Sequence, residues 1–524
     1  MTTESAADGP ARRIASGYAV EGQALELGTV VIDGNADPSA QIRIPLSTVN
    51  RHGLVAGATG TGKTKTLQLI AEQLSAAGVP VLMADVKGDL SGLSRPGQAN
   101  DKTAARAKDT GDNWAATGFP VEFLSLGTDG LGVPIRATVA SFGPVLLSKV
   151  LGLNATQEST LGLIFHWARE NNRPLVTLDQ LRNVISHLTG DEGKADLKSL
   201  GGVSSTTAGV ILRSLVNLEG EGGDTFFGEP KLDPRDLLRV DDQKHGTISL
   251  LEFSGQSLRP VIFSTFLMWL LADLFNELPE VGDIDKPKLV FFFDEAHLLF
   301  TDASKAFLDQ VEQTVKLIRS KGVGVFFCTQ LPTDLPNDVL SQLGARIQHA
   351  LRAFTPDDQK ALSKTVRTYP KTDVYDLESA LTSLGIGEAV VTVLSEKGAP
   401  TPVAWTRMRV PRSLMGAIGA DEIAKAAKDS PLQAKYGQTI QQPSEPEVRQ
   451  PRPPSPQAPA PRGQYDPLPS YPDPYDIPPM PAPAEPKGPA MWEEVLQNPT
   501  VKSGINTAIR EAVKSIFGTG RRRR

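Results

Sequence analysis

The chain is predicted to be an α/β protein: a parallel sheet wrapped by helices, with a helical subdomain inserted in it, a small β element before it and a proline-rich stretch behind it. Three observations carry that prediction. Residues 52–56 form a short apolar strand that runs into Gly57, Ala58, Thr59, Gly60, Thr61, Gly62, Lys63 and Thr64, and a helical pattern follows over 66–74. After Lys288, residues 289–293 form a fully apolar strand that stops at two adjacent carboxylates, Asp294 and Glu295. Around both, short apolar runs of the buried, parallel kind alternate with stretches of helical spacing.

The bulk properties narrow the class. A chain of 524 residues is too long for one core, so two or three folded units with tails are expected. Hydrophobic residues are 40%, charged residues 22% and the formal net charge is -6, so nothing global marks a nucleic-acid binder and any basic surface must be local. The single cysteine, Cys328, lies inside the apolar run 323–328, which excludes a disulfide framework and predicts a buried structural thiol in a reducing compartment. The amino terminus lacks a basic and apolar leader, and no run approaches the roughly 18 apolar residues of a membrane span. A cytoplasmic protein without an integral membrane segment is expected.

In chain order, residues 1–15 are small and polar and read as a frayed tail. Alternation over 25–32, a turn at Asp33, Gly34 and Asn35, and renewed alternation over 42–46 make 16–48 a β ribbon or partial barrel. Residues 49–138 hold the glycine-rich loop, its helix and two further strands, 78–85 and 120–126. Residues 139–245 read as a helical insertion, in which the aromatic loop 224–230 suggests packing rather than chemistry. Residues 246–415 return to the sheet with strands at 246–253, 288–293 and 323–328, a helix over 260–278, another over 304–320, a short strand over 347–351 flanked by Arg346 and Arg352, and a hairpin-like region from 387 that closes near Arg409. Residues 416–442 form a helical extension. Residues 443–489 are thick with proline and should be an extended, disordered linker. Residues 490–517 read as an amphipathic helical segment, and 518–524 as an arginine-rich tail. The tethered segment could dock on the folded body, on a protein partner or on an anionic surface, and Arg521 to Arg524 are equally consistent with nonspecific contact to nucleic acid.

The chemistry concentrates in two places. Residues 57–64 fit G-x-x-x-x-G-K-[ST], in which small residues let consecutive backbone N–H groups point at phosphate oxygens. Lys63 would sit on the β- and γ-phosphates and the Thr64 hydroxyl on Mg²⁺, with the positive end of the following helix aimed at the same anion. Asp294 at a strand tip suits Mg²⁺ held through water, and Glu295 suits polarisation of an attacking water. Lys87 and Asp89, in a charged loop at the carboxyl end of a parallel strand, are candidates for the nucleotide edge, or part of a solvated turn. Gln330, on the tip of the strand beside Asp294, is a candidate sensor of the γ-phosphate or its water. Arg346 and Arg352 could be presented to a γ-phosphate in cis or across a subunit boundary, or could be surface arginines in ion pairs. Arg319 and Lys321 close a helix where cations suit its dipole. His297 reads as a satisfied structural group rather than a ligand.

These residues together resemble a family. The Arg51 to Leu54 entry, the loop 57–64, Asp85 to Asp89, the strand 291–300, the run 317–324 and the run 342–356 are similar to the bacterial HerA-like ATPases of the YjgR type, over about residues 15–415. The resemblance implies a RecA-like, additional-strand P-loop ATPase core related to the HerA and FtsK translocases, which commonly form hexameric rings and move DNA through a central pore. It implies ATP and Mg²⁺ as cofactors, Lys63 and Thr64 for phosphate and metal, Asp294 and Glu295 for metal and water, Gln330 as sensor, and an arginine finger from a neighbour, ranked Arg352, Arg346, Arg319. The ribbon 16–48 is short beside the barrel of full HerA proteins, and DNA translocation is carried by resemblance alone.

The leading expectation is therefore a Mg²⁺-dependent, oligomeric ATPase acting on double-stranded DNA. A second is a nucleotide-gated scaffold whose proline-rich arm recruits a protein partner and which does not act on DNA; the net acidity favours it. A third, a phosphotransferase of the P-loop kinase kind, is opposed by Glu295, because a water-activating glutamate would waste ATP.

Overall fold

Apolar runs with β-branched and aromatic side chains on both faces need cover on both sides, and the chain supplies it by returning a helix after most strands of the parallel part. The computed structural model describes residues 9–85, 88–128, 130–191, 193–196, 202–252, 260–282, 284–301 and 303–438, with the backbone alone at 194, 260, 261, 263 and 264. The expected linker 443–489, amphipathic segment 490–517 and tail 518–524 lie outside the described residues, as do 439–442 of the expected extension.

Twelve strands form one sheet: β1 (Ala24–Ile32), β2 (Asn35–Pro45), β3 (Gly53–Ala56), β4 (Val81–Asp85), β5 (Val121–Leu126), β6 (Val133–Ile135), β7 (Ile248–Glu252), β8 (Leu289–Phe293), β9 (Val323–Thr329), β10 (Ala345–Gln348), β11 (Glu388–Thr392) and β12 (Ala404–Met408). Their order across the sheet is β2-β1-β12-β11-β10-β3-β9-β8-β4-β7-β5-β6. From β10 to β6 every pairing is parallel. From β10 outward through β11, β12, β1 and β2 every pairing is antiparallel. The amino-terminal ribbon is thus not a separate barrel: β1 pairs along β12 and extends the sheet that holds the glycine loop.

Alternation along the central strands sorts the core into two layers. Phe291 and Phe293 stack on each other at 4.6 Å between centroids, and Phe293 stacks on Phe327 at 5.3 Å, facing the helical insertion. Phe292 stacks on Phe326 at 5.3 Å on the opposite face, with Val55, Met83 and Cys328. The insertion is built from helices Val139–Leu151, Ala155–Glu170, Leu178–Thr189 and Ser205–Gly220. Thr138, Asn154 and Thr177 each cap one of them with a reciprocal side-chain box. No helix of the described residues is long and apolar enough to cross a membrane.

Two expectations need correction. Residues 10–16 are a helix rather than a frayed tail: Pro10 opens it, and Ile14 with the following Tyr18 is buried against the ribbon. The strand near residue 350 is Ala345–Gln348, not 347–351, so Arg346 lies inside it. The reason is local. The Ala350 carbonyl accepts from Ala58 N–H at 2.9 Å and the Leu351 N–H donates to Leu381 at 2.8 Å, which takes the chain out of the ladder.

Behind the sheet, the segment after β12 is clasped to the helix Lys63–Ala76. Buried Glu72 accepts from Arg412 N–H at 2.7 Å, Ser413 N–H at 3.2 Å and the Ser413 hydroxyl at 3.0 Å. Gln68 donates to Ser413 Oγ at 2.8 Å and to the Leu414 carbonyl at 3.0 Å. Burial outweighs these donors and pushes the Glu72 carboxyl from the ordinary 4.5 up to about 7. A folded-state value above the unfolded one means that the native state binds the proton more tightly. That contribution to stability is therefore complete below pH 4.5 and is lost as pH rises through about 7. His52 and His349, both lowered by burial to about 4, give the opposite slope below their ordinary 6.5. The two effects separate in a difference measurement. The stability gap between wild type and Glu72→Gln should shift toward the variant by on the order of 2 kcal/mol between pH 5 and pH 8 in thermal or urea unfolding. A gap independent of pH would refute the assignment.

Candidate functional site

The site is built where β3, β9 and β8 end side by side at the carboxyl edge of the parallel sheet. Residues 57–62 leave β3 as a loop with three glycines at positive φ: Gly57 at 150°, Gly60 at 81° and Gly62 at 117°. At Gly57 any side chain would place Cβ 2.6 Å from Cβ of His349, so only glycine fits. The loop is pinned from outside. Gly57 N–H donates to the carbonyls of Thr329 and Gln330 at 3.3 and 3.1 Å, and Gly387 N–H donates to Thr61 at 3.0 Å. The Thr61 hydroxyl donates to the Ala58 carbonyl at 2.7 Å. Lys63, first residue of the helix Lys63–Ala76, reaches back across the loop and donates to the carbonyls of Gly57 and Ala58 at 2.6 and 3.2 Å.

His349 supports this loop from below, and sequence reading did not single it out. It is buried just beyond β10, and Nδ1 lies 2.8 Å from the Glu388 carbonyl. A carbonyl only accepts, so Nδ1 carries the proton and Nε2 accepts from the Thr66 hydroxyl at 2.9 Å. Burial, with the charge of Lys63 adding to it, lowers its pKa to about 4, so the ring is neutral at pH 7. The histidine thus ties the second turn of the loop's helix to the start of β11.

The acidic side of the site follows β8. Asp294 sits at the strand tip, and its Oδ1 accepts Glu295 N–H at 2.9 Å. Glu295 has φ of 48°, a left-handed backbone that non-glycine residues adopt at a cost of about 1–3 kcal/mol. Ala296 N–H donates to the Cys328 carbonyl at 2.8 Å, holding the turn to β9. Burial first, then the Asp294 charge, pushes the pKa of the Cys328 thiol well up. His297 Nδ1 lies 3.5 Å from Glu295 Oε2, so this histidine borders the catalytic candidate. Thr329, at the tip of β9, donates to Asp334 at 2.6 Å, which fixes the strand end that carries Gln330.

The other candidates divide. Gln330 is exposed directly after β9, and its own carbonyl holds Gly57. Arg352 is exposed at the rim of the loop, with Nη2 3.4 Å from the Thr59 carbonyl of the same chain. Arg346 is turned away: its guanidinium donates to the Thr368 and Leu340 carbonyls at 2.9 and 3.3 Å. Arg319 is exposed in the turn before β9, at the amino edge of the sheet, opposite the loop. Asp89 lies in the loop after β4, where the buried carboxylate of Asp85 accepts the N–H groups of Asp89 and Leu90, both at 3.1 Å. Burial raises Asp85 to about 6, and both acids act on Lys65 of the loop's helix. Lys87 lies outside the described residues.

The residues fit ATP and Mg²⁺. The glycine loop admits no Cβ at its first position, and Lys63 presents an ammonium at its mouth. Thr64 and Asp294 offer the hard oxygen donors that Mg²⁺ prefers.

The chain is similar to several known proteins. The family model described as helicase HerA-like C-terminal matches residues 31–524. The DNA double-strand break repair helicase HerA of Saccharolobus solfataricus is 21% identical over 378 residues, spanning 71% of this chain and 67% of that protein. Among solved structures, the bacterial conjugative coupling protein TrwBdeltaN70, in a trigonal form in complex with sulphate, superposes with a TM-score of 0.50 at 15% identity, covering 78% of this chain and 94% of that one. The plasmid coupling protein TrwB in complex with ADP and Mg²⁺ superposes at 0.47 with 17% identity, covering 77% and 94%.

Gly57→Ala tests the cradle directly. The new methyl must displace His349 and strain φ, so the variant should lose on the order of 1–3 kcal/mol in urea unfolding and bind ADP at least about tenfold more weakly. Wild-type ADP affinity in a folded Gly57→Ala protein would show that the loop is not the phosphate site.

Proposed function

The chain belongs to the helicase HerA-like C-terminal family, and from that premise we propose that it is a Mg²⁺-dependent ATP hydrolase, working in the cytoplasm as a hexameric oligomer, that moves along double-stranded DNA. One observation carries the hydrolytic part: Asp294 and Glu295 follow β8 two strands from β3, whose tip opens into the Lys63–Thr64 loop. The name of the Saccharolobus relative supplies the DNA part.

In this reading the backbone N–H groups of residues 59–64 and the ammonium of Lys63 bind the β- and γ-phosphates, exchanging the carbonyl contacts of Lys63 for phosphate oxygens. Thr64 and Asp294 would hold Mg²⁺, whose charge, when it is bound, offsets that on the phosphates. Glu295, on a backbone aimed by its positive φ, orients the attacking water and accepts its proton. His297 holds that carboxylate from one side, and Gln330 and Arg352 approach the γ-phosphate from the tip of β9 and the rim of the loop. Lys87 and Asp89 would close the nucleotide edge on the β4 side.

A second reading, a nucleotide-gated scaffold indifferent to DNA and engaging a protein partner through its carboxyl-terminal arm, is favoured by the net charge of -6. Two measurements test the proposal, the first its hydrolytic part and the second the choice between the two readings. Glu295→Gln should lower kcat by at least about 100-fold while leaving ATP affinity within about twofold, because the amide keeps the shape but cannot take the proton. Long duplex DNA should stimulate wild-type hydrolysis, and the stimulation should fade as salt rises, as phosphate contacts require. A rate indifferent to duplex DNA at every salt concentration would discard the motor and keep the scaffold.

A further inference from the structure

Among the described residues the two most exposed large hydrophobic side chains are Phe354, 84% exposed, and Ile386, 77% exposed. Single exposed hydrophobics are ordinary on a protein surface, but these two flank one place. Phe354 stands two residues after Arg352, which meets the Thr59 carbonyl, and Ile386 immediately precedes Gly387, whose N–H donates to Thr61. Both therefore leave from the outer rim of the glycine loop.

Neither belongs to a loose segment. The N–H groups of Phe354 and Thr355 donate to Asp358 at 3.2 and 2.9 Å, in the box that caps the helix Pro356–Val366. The carbonyls of Ile386 and Gly387 accept from Arg106 at 3.1 and 3.0 Å, and Gly385 N–H donates to Glu388 at 3.0 Å. The residues beneath them, Leu351, Leu381, Leu384 and Val390, pack in one cluster, so the two mounts form one body. A fixed backbone that presents an uncovered ring and an uncovered branched chain beside a phosphate loop is built to hold something flat and apolar.

We propose that Phe354 and Ile386 grip the nucleobase of the bound nucleotide, with the Phe354 ring stacking on the base and Ile386 lining its edge. The proposal rests on the reading of residues 57–64 as a phosphate cradle and assigns the part of the ligand that reading leaves unplaced. A second copy of the chain is the other occupant that would cover such a patch. The location favours the base, because Arg352, two residues before Phe354, and Gly387, next to Ile386, are bonded to the cradle and the phosphate ligand carries a planar ring with it.

The test compares ADP with pyrophosphate, which lacks the base, by calorimetry on the full chain in the presence of Mg²⁺. Phe354→Ala and Ile386→Ser should each weaken ADP binding by about tenfold and leave pyrophosphate binding unchanged, and Phe354→Tyr should keep ADP affinity within about twofold. ADP affinity unchanged in both variants overturns the proposal. So does an equal loss for ADP and pyrophosphate, which would make these residues supports of the loop. A change of oligomer size by light scattering with ADP affinity intact overturns it in favour of contact between copies. Wild-type protein that binds neither ligand would instead overturn the cradle reading itself.

Discussion

The backbone N–H of Gly57 is shared between the carbonyls of Thr329 and Gln330, and that of Ala58 goes to Ala350. Those bonds set where the glycine loop lies, since they tie its first residues to the tips of the two strands that flank β3. A side chain at residue 57 would have to enter the space held by His349, and His349 in turn spans from Thr66 to Glu388. The loop is therefore located by the sheet around it rather than by its own residues. Its own residues supply permission, the positive φ values that let the chain take the position the sheet imposes.

The same logic extends to the acidic partner. Asp294 and the loop end on strands separated only by β9, and Cys328 of β9 is buried between the influence of Asp294 and Lys63. The two halves of the site are far apart in sequence because the helical insertion and its return strand intervene, yet parallel pairing brings their carboxyl ends level. Phenylalanines stacked on both faces of β8 and β9 make that register costly to slip, because a one-residue shift would exchange the two core layers. Packing of the sheet and placement of the carboxylates are one constraint.

What was legible in the sequence follows from this division. The loop, its helix, and the strand carrying Asp294 could be read because each is a local pattern: glycine spacing, an apolar run, adjacent carboxylates. His349 could not, because its role exists only once β10 lies beside β3, nearly 300 positions earlier in the chain, and a lone histidine in a short apolar run carries no mark of that pairing. Arg346 was read as flanking a strand because apolar residues continue to Leu351, whereas Ala350 and Leu351 spend their backbone groups on Ala58 and Leu381. The helix Pro10–Ser16 was illegible for a similar reason. Ile14 is its one large apolar side chain, and what holds it is the burial of Ile14 and Tyr18 on a ribbon that itself belongs to the main sheet. Tertiary partners decided each case where the local text was ambiguous.

The three arginines show what one chain can do for itself. Arg346 would have to abandon two carbonyls, and burial already holds its pKa below the ordinary value, so it is a strand-end fastener within this subunit. Arg352 already touches the rim of its own loop, so it stands beside the site of the subunit that carries it. Arg319 stands at the other end of β9, a strand of seven residues. At about 3.3 Å per residue that places it roughly 20 Å from the tip where Gln330 emerges, far beyond the reach of a side chain. An exposed arginine so placed cannot serve the phosphates of its own subunit. Any part it plays at a phosphate requires a second copy whose cradle faces this subunit's amino edge, so the geometry of a single chain already separates the arginines that can act alone from the one that needs an assembly.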